Sequence, residues 1–253
     1  MAVVHRDFLS GQGNTQRNEN SMRKSYWMLT VVGICSFFGG SYLGNLGFSV
    51  LPYVFWLIAV LCVALCYSKF KTYQKNKDIF ASGDEGESLA IAYLEVLDRN
   101  FHIIPNAVLK YGEKRSEMDT IVIGPTGVFI IEVKNYKGII EGNMSDHNLK
   151  QTKPDNYGKM FTKTFYNPCK QVATHRYTLN GVLRVSGIST YINICVFFAN
   201  KDAQLSVNND NNSDCKIFQD YSKLVNYIKS GKNSLPEDRV RDIINCIVSQ
   251  SKS

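Results

Sequence analysis

Charged side chains are missing altogether from Ser25 to Ser68. That run is about twice the roughly 20 residues a helix needs to cross a bilayer, which argues against a chain that is soluble throughout. Metal-binding cysteine spacing is also absent. Cys35, Cys62 and Cys66 lie in the apolar run, while Cys169, Cys195, Cys215 and Cys246 are scattered singly. With no Cys-x-x-Cys and no Cys/His cluster, a structural zinc site is excluded, and reduced thiols in a cytosol-facing domain are expected. No glycine-rich phosphate loop of the Walker type occurs, so NTPase chemistry has no support. No serine stands in a nucleophile-elbow context, which removes serine hydrolysis. There is no internal repeat.

The apolar run divides near its middle, where Gly39, Gly40, Gly44, Asn45 and Gly47 cluster. Two transmembrane helices are expected, over about 26–43 and 47–67, joined by a very short turn. Tyr26, Trp27 and Tyr67 stand at the outer ends, where interfacial aromatic residues sit. Residues 1–24 are polar and are expected to be disordered. A cleavable signal peptide fits poorly, because the run is too long and follows a polar lead. Arg17, Arg23 and Lys24 precede the first span, and Lys69, Lys71, Lys75 and Lys77 follow the second. The positive-inside rule then places both ends of the hairpin on the cytoplasmic side of the inner membrane.

Beyond the spans, 69–82 reads as a basic linker, 83–200 as the main domain and 201–253 as strand and helices that complete it. A helix begins near Asp84, with Leu89, Tyr93, Val96 and Leu97 at helical spacing. A strand follows over Phe101–Leu109. Two apolar strands, about Met118–Gly124 and Val128–Asn135, flank the turn residues Pro125-Thr126-Gly127. A short strand covers Lys137–Gly142, and 143–166 looks irregular. Asn167-Pro168 opens a helix to about Val185, with proline where its missing N–H costs nothing. Tyr191–Ala199 is a buried strand, 201–213 an Asn-rich loop, 215–218 a strand, and helices lie near 220–229 and 236–249. Helices alternating with apolar strands indicate an α/β domain.

The hairpin carries the chemistry. A turn centred between residues 125 and 126 pairs residues whose numbers sum to 251, and Asp119 with Glu132 satisfies that sum. Opposed residues have Cβ atoms roughly 4.5–5.5 Å apart, so two carboxylates there need a charge to offset them. A divalent cation would do so, and hard oxygen ligands select Mg²⁺ or Mn²⁺ over zinc. Strand alternation puts Lys134 on the face of Glu132. A strand that is apolar until its last residues and then polar has the form of a site at a strand end. Seven lysines (134, 137, 150, 153, 159, 163 and 170) against Glu141, Asp146 and Asp155 bias the following segment toward a polyanion, within a chain of net charge +7.

The pattern Asp119–x12–Glu132-x-Lys134 resembles the metal-binding core of the PD-(D/E)XK nucleases. More specifically, three stretches resemble the NERD, or nuclease-related, domain: Gly83-x-x-Gly86-Glu87; Met118-Asp119-Thr120 through Gly124-Pro125-Thr126-Gly127-Val128-Phe129-Ile130-Ile131-Glu132-Val133-Lys134-Asn135-Tyr136-x-Gly138; and Asn167-Pro168-x-x-Gln171-x-x-x-His175. The resemblance covers about 82–200. It implies a restriction-endonuclease-like mixed sheet flanked by helices, and an Mg²⁺- or Mn²⁺-dependent nuclease acting on nucleic acid, DNA foremost. It also implies roles. Asp119 and Glu132 would be metal ligands assisted by Glu87, Lys134 would orient the attacking water and stabilise phosphate charge, and Gln171 would pack toward the site. Met118 replaces the proline of the superfamily's name, Thr120 stands where NERD domains often carry His, and the Trp often found after the Gly138 region is missing.

His175 reads as a structural or surface residue, His102 as core or edge, and Cys169 and Cys195 as buried thiols. Two other readings stay open beside the nuclease: a non-catalytic, membrane-tethered nucleic-acid-binding or scaffolding domain, and a membrane protein in which Glu-x-Lys is incidental. The expected topology has a direct test. A reporter fused to the C-terminus should be active on the cytoplasmic side only, and activity on the opposite side would overturn the orientation.

Overall fold

The computed structural model describes residues 1–6, 12–48, 50–155, 157–208 and 213–251, without the side chains of 12–23, 25–26 and 75–80. The chain divides into two units, Met1–Leu9 with Ser82–Ser253, and Ser10–Ala81.

The Ser10–Ala81 unit is built from α1 (Gln12–Asn45) and the greater part of α2 (Leu51–Leu94). Trp27–Asn45 and Leu51–Gln74 are long and apolar enough to cross a membrane. Large apolar side chains such as Phe38, Leu57, Val60 and Val63 are exposed along both helices. The helices touch through small residues. A Cβ on Gly40 would lie 2.8 Å from the Trp56 ring, so only glycine permits this approach. Two expectations need correction here. Residues 12–24 are helical rather than disordered, and 69–82 is a continuation of α2 rather than a linker. No proline follows Pro52 within α2, where it sits in the first turn, so the basic stretch extends the second apolar helix without a fresh start at Asp84. Of the polar N-terminus, 7–11 lie outside the described residues.

The other unit is a mixed α/β structure. Its main sheet has six strands in the order β1-β2-β3-β4-β8-β10: β1 (Val3–Val4), β2 (His102–Tyr111), β3 (Lys114–Gly124), β4 (Gly127–Lys134), β8 (Ile192–Phe198) and β10 (Cys215–Phe218). The meander β2-β3-β4 is antiparallel, and β4, β8 and β10 are parallel. One face packs on α3 (Pro168–Val185) and α5 (Glu237–Ser251), around Ile121, Ile130, Leu179 and Ile243. The other packs on the end of α2 and on α4 (Tyr221–Lys229), around Leu94, Phe129, Phe197 and Leu224. Every residue of β4 before Lys134 is buried. Both its faces are covered, which explains its continuous apolar run. Val3–Val4 pairs in parallel with His102 and Ile103, so these two residues also depart from the disorder expected for 1–24. Their unpaired amides find partners on the open edge of β2.

A second sheet, in the order β7-β6-β5-β9, comprises β5 (Gly138–Asn143), β6 (Asn148–Pro154), β7 (Met160–Tyr166) and β9 (Ala203–Asn208). The segment 143–166 is therefore mostly an antiparallel meander rather than irregular. Part of the Asn-rich 201–213 stretch is a strand parallel to β5, with 209–212 outside the described residues. Polar residues interrupt the apolar ones in β5, β6 and β7, so the alternation that marks a half-buried strand is weak there, whereas Ala203, Leu205 and Val207 of β9 alternate with polar residues. Edge-strand β7 is exposed along nearly its whole length.

Asn167 joins the second sheet to α3. Its carbonyl oxygen caps α3 by accepting from Cys169 N–H at 2.9 Å. Its amide nitrogen donates to the carbonyls of Asp146 (2.8 Å) and Met144 (3.1 Å) in the β5–β6 turn. The residue is fully buried, so losing it orphans groups from two elements at once. Asn167→Ala should lower folding stability by about 2–4 kcal/mol, the cap plus one or more orphaned bonds. Asn167→Asp keeps the capping acceptor and should fall between the two in chemical denaturation.

Candidate active site

The β3–β4 register is the expected one. Thr120 pairs with Ile131 and Ile121 with Ile130, each summing to 251. The ladder stops there. The next amide, Val133 N–H, donates to Asp119 Oδ2 at 2.7 Å, so the carboxylate completes the hydrogen bonding where β3 leaves β4. Strict alternation along β3 is interrupted at this point. Met118 and Ile121, three residues apart, both join the core cluster beneath α3. The same interruption occurs in β2 between Ile104 and Ala107, and Asn106 between them has φ 50°. Asn106 is the residue across from Asp119 in the β2–β3 register. Local breaks of this kind re-aim a side chain, and they recur next to active sites.

Glu132 lies two residues before the C-terminal end of β4, with its carboxylate fully buried. Lys134 Nζ donates to Oε1 at 2.5 Å, from the same strand face. His175 Nε2 of α3 lies 3.2 Å from Oε2, though the two are not aligned as a hydrogen bond. His175 is thus buried against Glu132 rather than on the surface, a placement that the Gln171–His175 spacing on one helix face could have signalled. Gln171 is half-buried one turn earlier on α3. Among the described residues its side chain makes no hydrogen bond to Asp119, Glu132 or Lys134. Thr120, beside Asp119, is fully buried with no partner for its hydroxyl.

Glu87 reaches this region on α2 because of Gly86. A Cβ on Gly86 would lie 2.7 Å from Asn135 Cβ, so glycine lets the helix close on the end of β4. Asn135 Nδ2 donates to the Ser82 carbonyl at 2.7 Å and holds that approach. Burial raises the Glu87 carboxyl to about 7 from an ordinary 4.5, helped by the charges of Asp84, Glu117 and Glu132. Burial also raises Asp119 well above the carboxylate range, and Glu132 pushes it further. Burial alone would lower Lys134, yet the Glu132 and Asp119 charges outweigh it and the ammonium is held more firmly. The structure thus brings Glu87, Asp119, Glu132 and Lys134 into one electrostatic neighbourhood. No three His, Cys, Asp or Glu side chains among the described residues are clustered at metal-ligand spacing. These findings are compatible, because charges act over longer distances than coordination bonds.

Residues 82–199 match the family model described as NERD, nuclease-related domain. An uncharacterized protein of Bacillus anthracis is 39% identical over 64 residues, which are 24% of this chain and 30% of that protein. This chain therefore spans less than a third of that relative's length. No solved structure matches.

The raised carboxyl of Glu87 has a consequence for stability. The folded form holds this proton more tightly than the unfolded chain does. Its contribution to stability is therefore complete below about pH 4.5 and is lost as pH rises through about 7. In chelator, the stability of the full chain should fall across that window. Glu87→Gln should flatten the fall, and an unchanged pH profile in this variant would refute the assignment.

Proposed function

We propose that this chain is a membrane-anchored, metal-dependent nuclease that hydrolyses phosphodiester bonds, DNA foremost. Its catalytic groups are Asp119, Glu132 and Lys134, with Glu87 and Gln171 assisting. The observation that carries the reading is the buried Glu132 carboxylate at a strand end, beside Asp119 and bonded to Lys134. The nuclease-related match over the same residues supports it.

The chemistry of two of the oxygen donors supports a hard divalent cation. Glu132 Oε2 is a buried acceptor without a hydrogen bond, and Asp119 is a second oxygen donor whose ionisation is disfavoured until positive charge is supplied. Asp119, Glu132 and Glu87 would hold Mg²⁺ or Mn²⁺. When bound, such an ion lowers the pKa of water and neutralises charge developing on phosphate oxygens. Lys134 keeps its proton under the influence of both carboxylates, so it acts as a fixed positive charge toward a phosphate rather than as a base. The Val133 amide orients Asp119, and His175 closes the α3 side of Glu132 against water.

The two apolar helices support anchoring to a bilayer through residues 25–68. Basic residues on their flanks favour a cytoplasmic position for the nuclease-like unit at the inner membrane.

A second reading, a non-catalytic nucleic-acid-binding or scaffolding domain with this fold, is favoured by one observation. Lys134 and His175 already flank both oxygens of Glu132. Plasmid degradation by the full chain in neutral detergent, with Mg²⁺ or Mn²⁺, separates the two. The nuclease should cleave only with metal, and Asp119→Ala and Lys134→Ala should each slow cleavage by about 100-fold or more while staying folded. Cleavage at the unsubstituted rate by Asp119→Ala rejects this site. Binding without cleavage by the unsubstituted chain supports the second reading.

A further inference from the structure

Three lysines of the second sheet have no carboxylate partner among the described residues. Lys153 on β6 and Lys163 on β7 lie on one face, because β6 residues 149, 151 and 153 pair with β7 residues 165, 163 and 161; Leu149, Gln151 and Phe165 turn most of that face to the core and leave its β7 margin to solvent. Lys137 joins them at the start of β5. Gly138, at φ 86°, brings β5 so close to Lys153 that a Cβ there would lie 2.8 Å from the Lys153 Cβ. Gln151 clamps the turn by donating to the Lys137 carbonyl at 2.6 Å. Burial and the charges of Lys163 and Lys137 lower the pKa of Lys153, as expected for cations that crowd one another.

The neighbouring acids point elsewhere or are occupied. Glu141 stands across from Lys150 in the β5–β6 register, on the opposite face. Asp155 accepts from the Tyr157 and Lys159 amides within the β6–β7 turn. Asp146 accepts from the Asn143 amide. The lysines are instead interleaved with aromatic rings. Lys153 Nζ lies 5.8 Å from the Phe161 ring centre, and Phe161 is 39% exposed. Lys163 Nζ lies 5.5 Å from the ring of Tyr136. Tyr136 follows Lys134 by two residues, so the chain runs directly from the carboxylate site to this face.

We infer that the exposed β7 margin of this face, through Lys137, Lys153, Lys163 and Phe161, binds a single strand of nucleic acid and leads it to Lys134. Uncompensated cations side by side need an anion whose charge is spread along its length, which a phosphodiester chain provides. The exposed Phe161 ring beside them selects an unpaired strand, since bases already stacked in a duplex offer no free π-face. The inference rests on the nuclease reading for what happens to the strand, but binding itself is separable from cleavage.

The test measures binding of labelled oligothymidylate to the full chain in neutral detergent, in chelator, by fluorescence anisotropy across a salt series. The double variant Lys153→Gln/Lys163→Gln should bind about tenfold or more weakly, and its log–log salt slope should be shallower by about 1.4, two contacts at about 0.7 each. Phe161→Ser should lose about tenfold with the salt slope unchanged. Lys150→Gln, on the opposite face, should bind as the unsubstituted chain does. Absent strand binding, equal losses in Lys150→Gln and in the double variant, or duplex binding as tight as strand binding, would each overturn the inference. If metal-dependent plasmid cleavage is seen in any of those cases, the nuclease reading stands without this surface.

Discussion

Everything around the candidate site depends on keeping one fully buried carboxylate, that of Glu132, tolerable inside the domain. An ionised carboxylate without partners would not persist in such a place. The ammonium of Lys134 supplies the opposing charge from two residues along the same strand, and His175 of α3 covers the second oxygen. Buried ion pairs add little to stability by themselves, since desolvation cancels much of their attraction. Their value lies in what they fix. Here the pair holds a lysine and a carboxylate at one strand end, in a region that also raises the carboxyls of Asp119 and Glu87.

Three local devices make that arrangement possible, and none of them is itself charged. Gly86 lets α2 close on Asn135, which places Glu87. The coupled interruption of β2 and β3 turns the Asp119 carboxylate onto the amide of Val133. Asn167 ties the β5–β6 turn to the start of α3, the helix that carries Gln171 and His175. The β5–β6 turn of the second sheet is thereby tied to the helix that reaches Glu132.

The two helices rich in exposed apolar side chains obey a different constraint. Their chemistry suits a lipid environment, and Gly40 permits the close helix contact that small residues provide there. The basic residues after the second apolar stretch lie within α2.

Much of this protein was legible in its residues alone. The uncharged run gave the apolar helices, and the Pro125-Thr126-Gly127 turn gave the hairpin and its register, because a tight turn leaves strand pairing no freedom. Alternation put Glu132 and Lys134 on one face, and Asn167-Pro168 announced α3. What escaped has a common cause. The strands of the second sheet bury only a few apolar side chains each, such as Ile140, Leu149 and Leu205, so in most of them the local pattern is too short to announce the pairing. The stretch 69–82 is helical because nothing stops α2, which propensity read window by window does not show. His175 meets Glu132 only through the packing of α3 on the sheet, and the turn of Asp119 onto Val133 exists only where β2 and β3 break alternation together. Sequence determined which groups could meet along one strand or across one turn; contacts between elements far apart in the chain were decided by packing, because side-chain direction there depends on how whole helices and sheets dock.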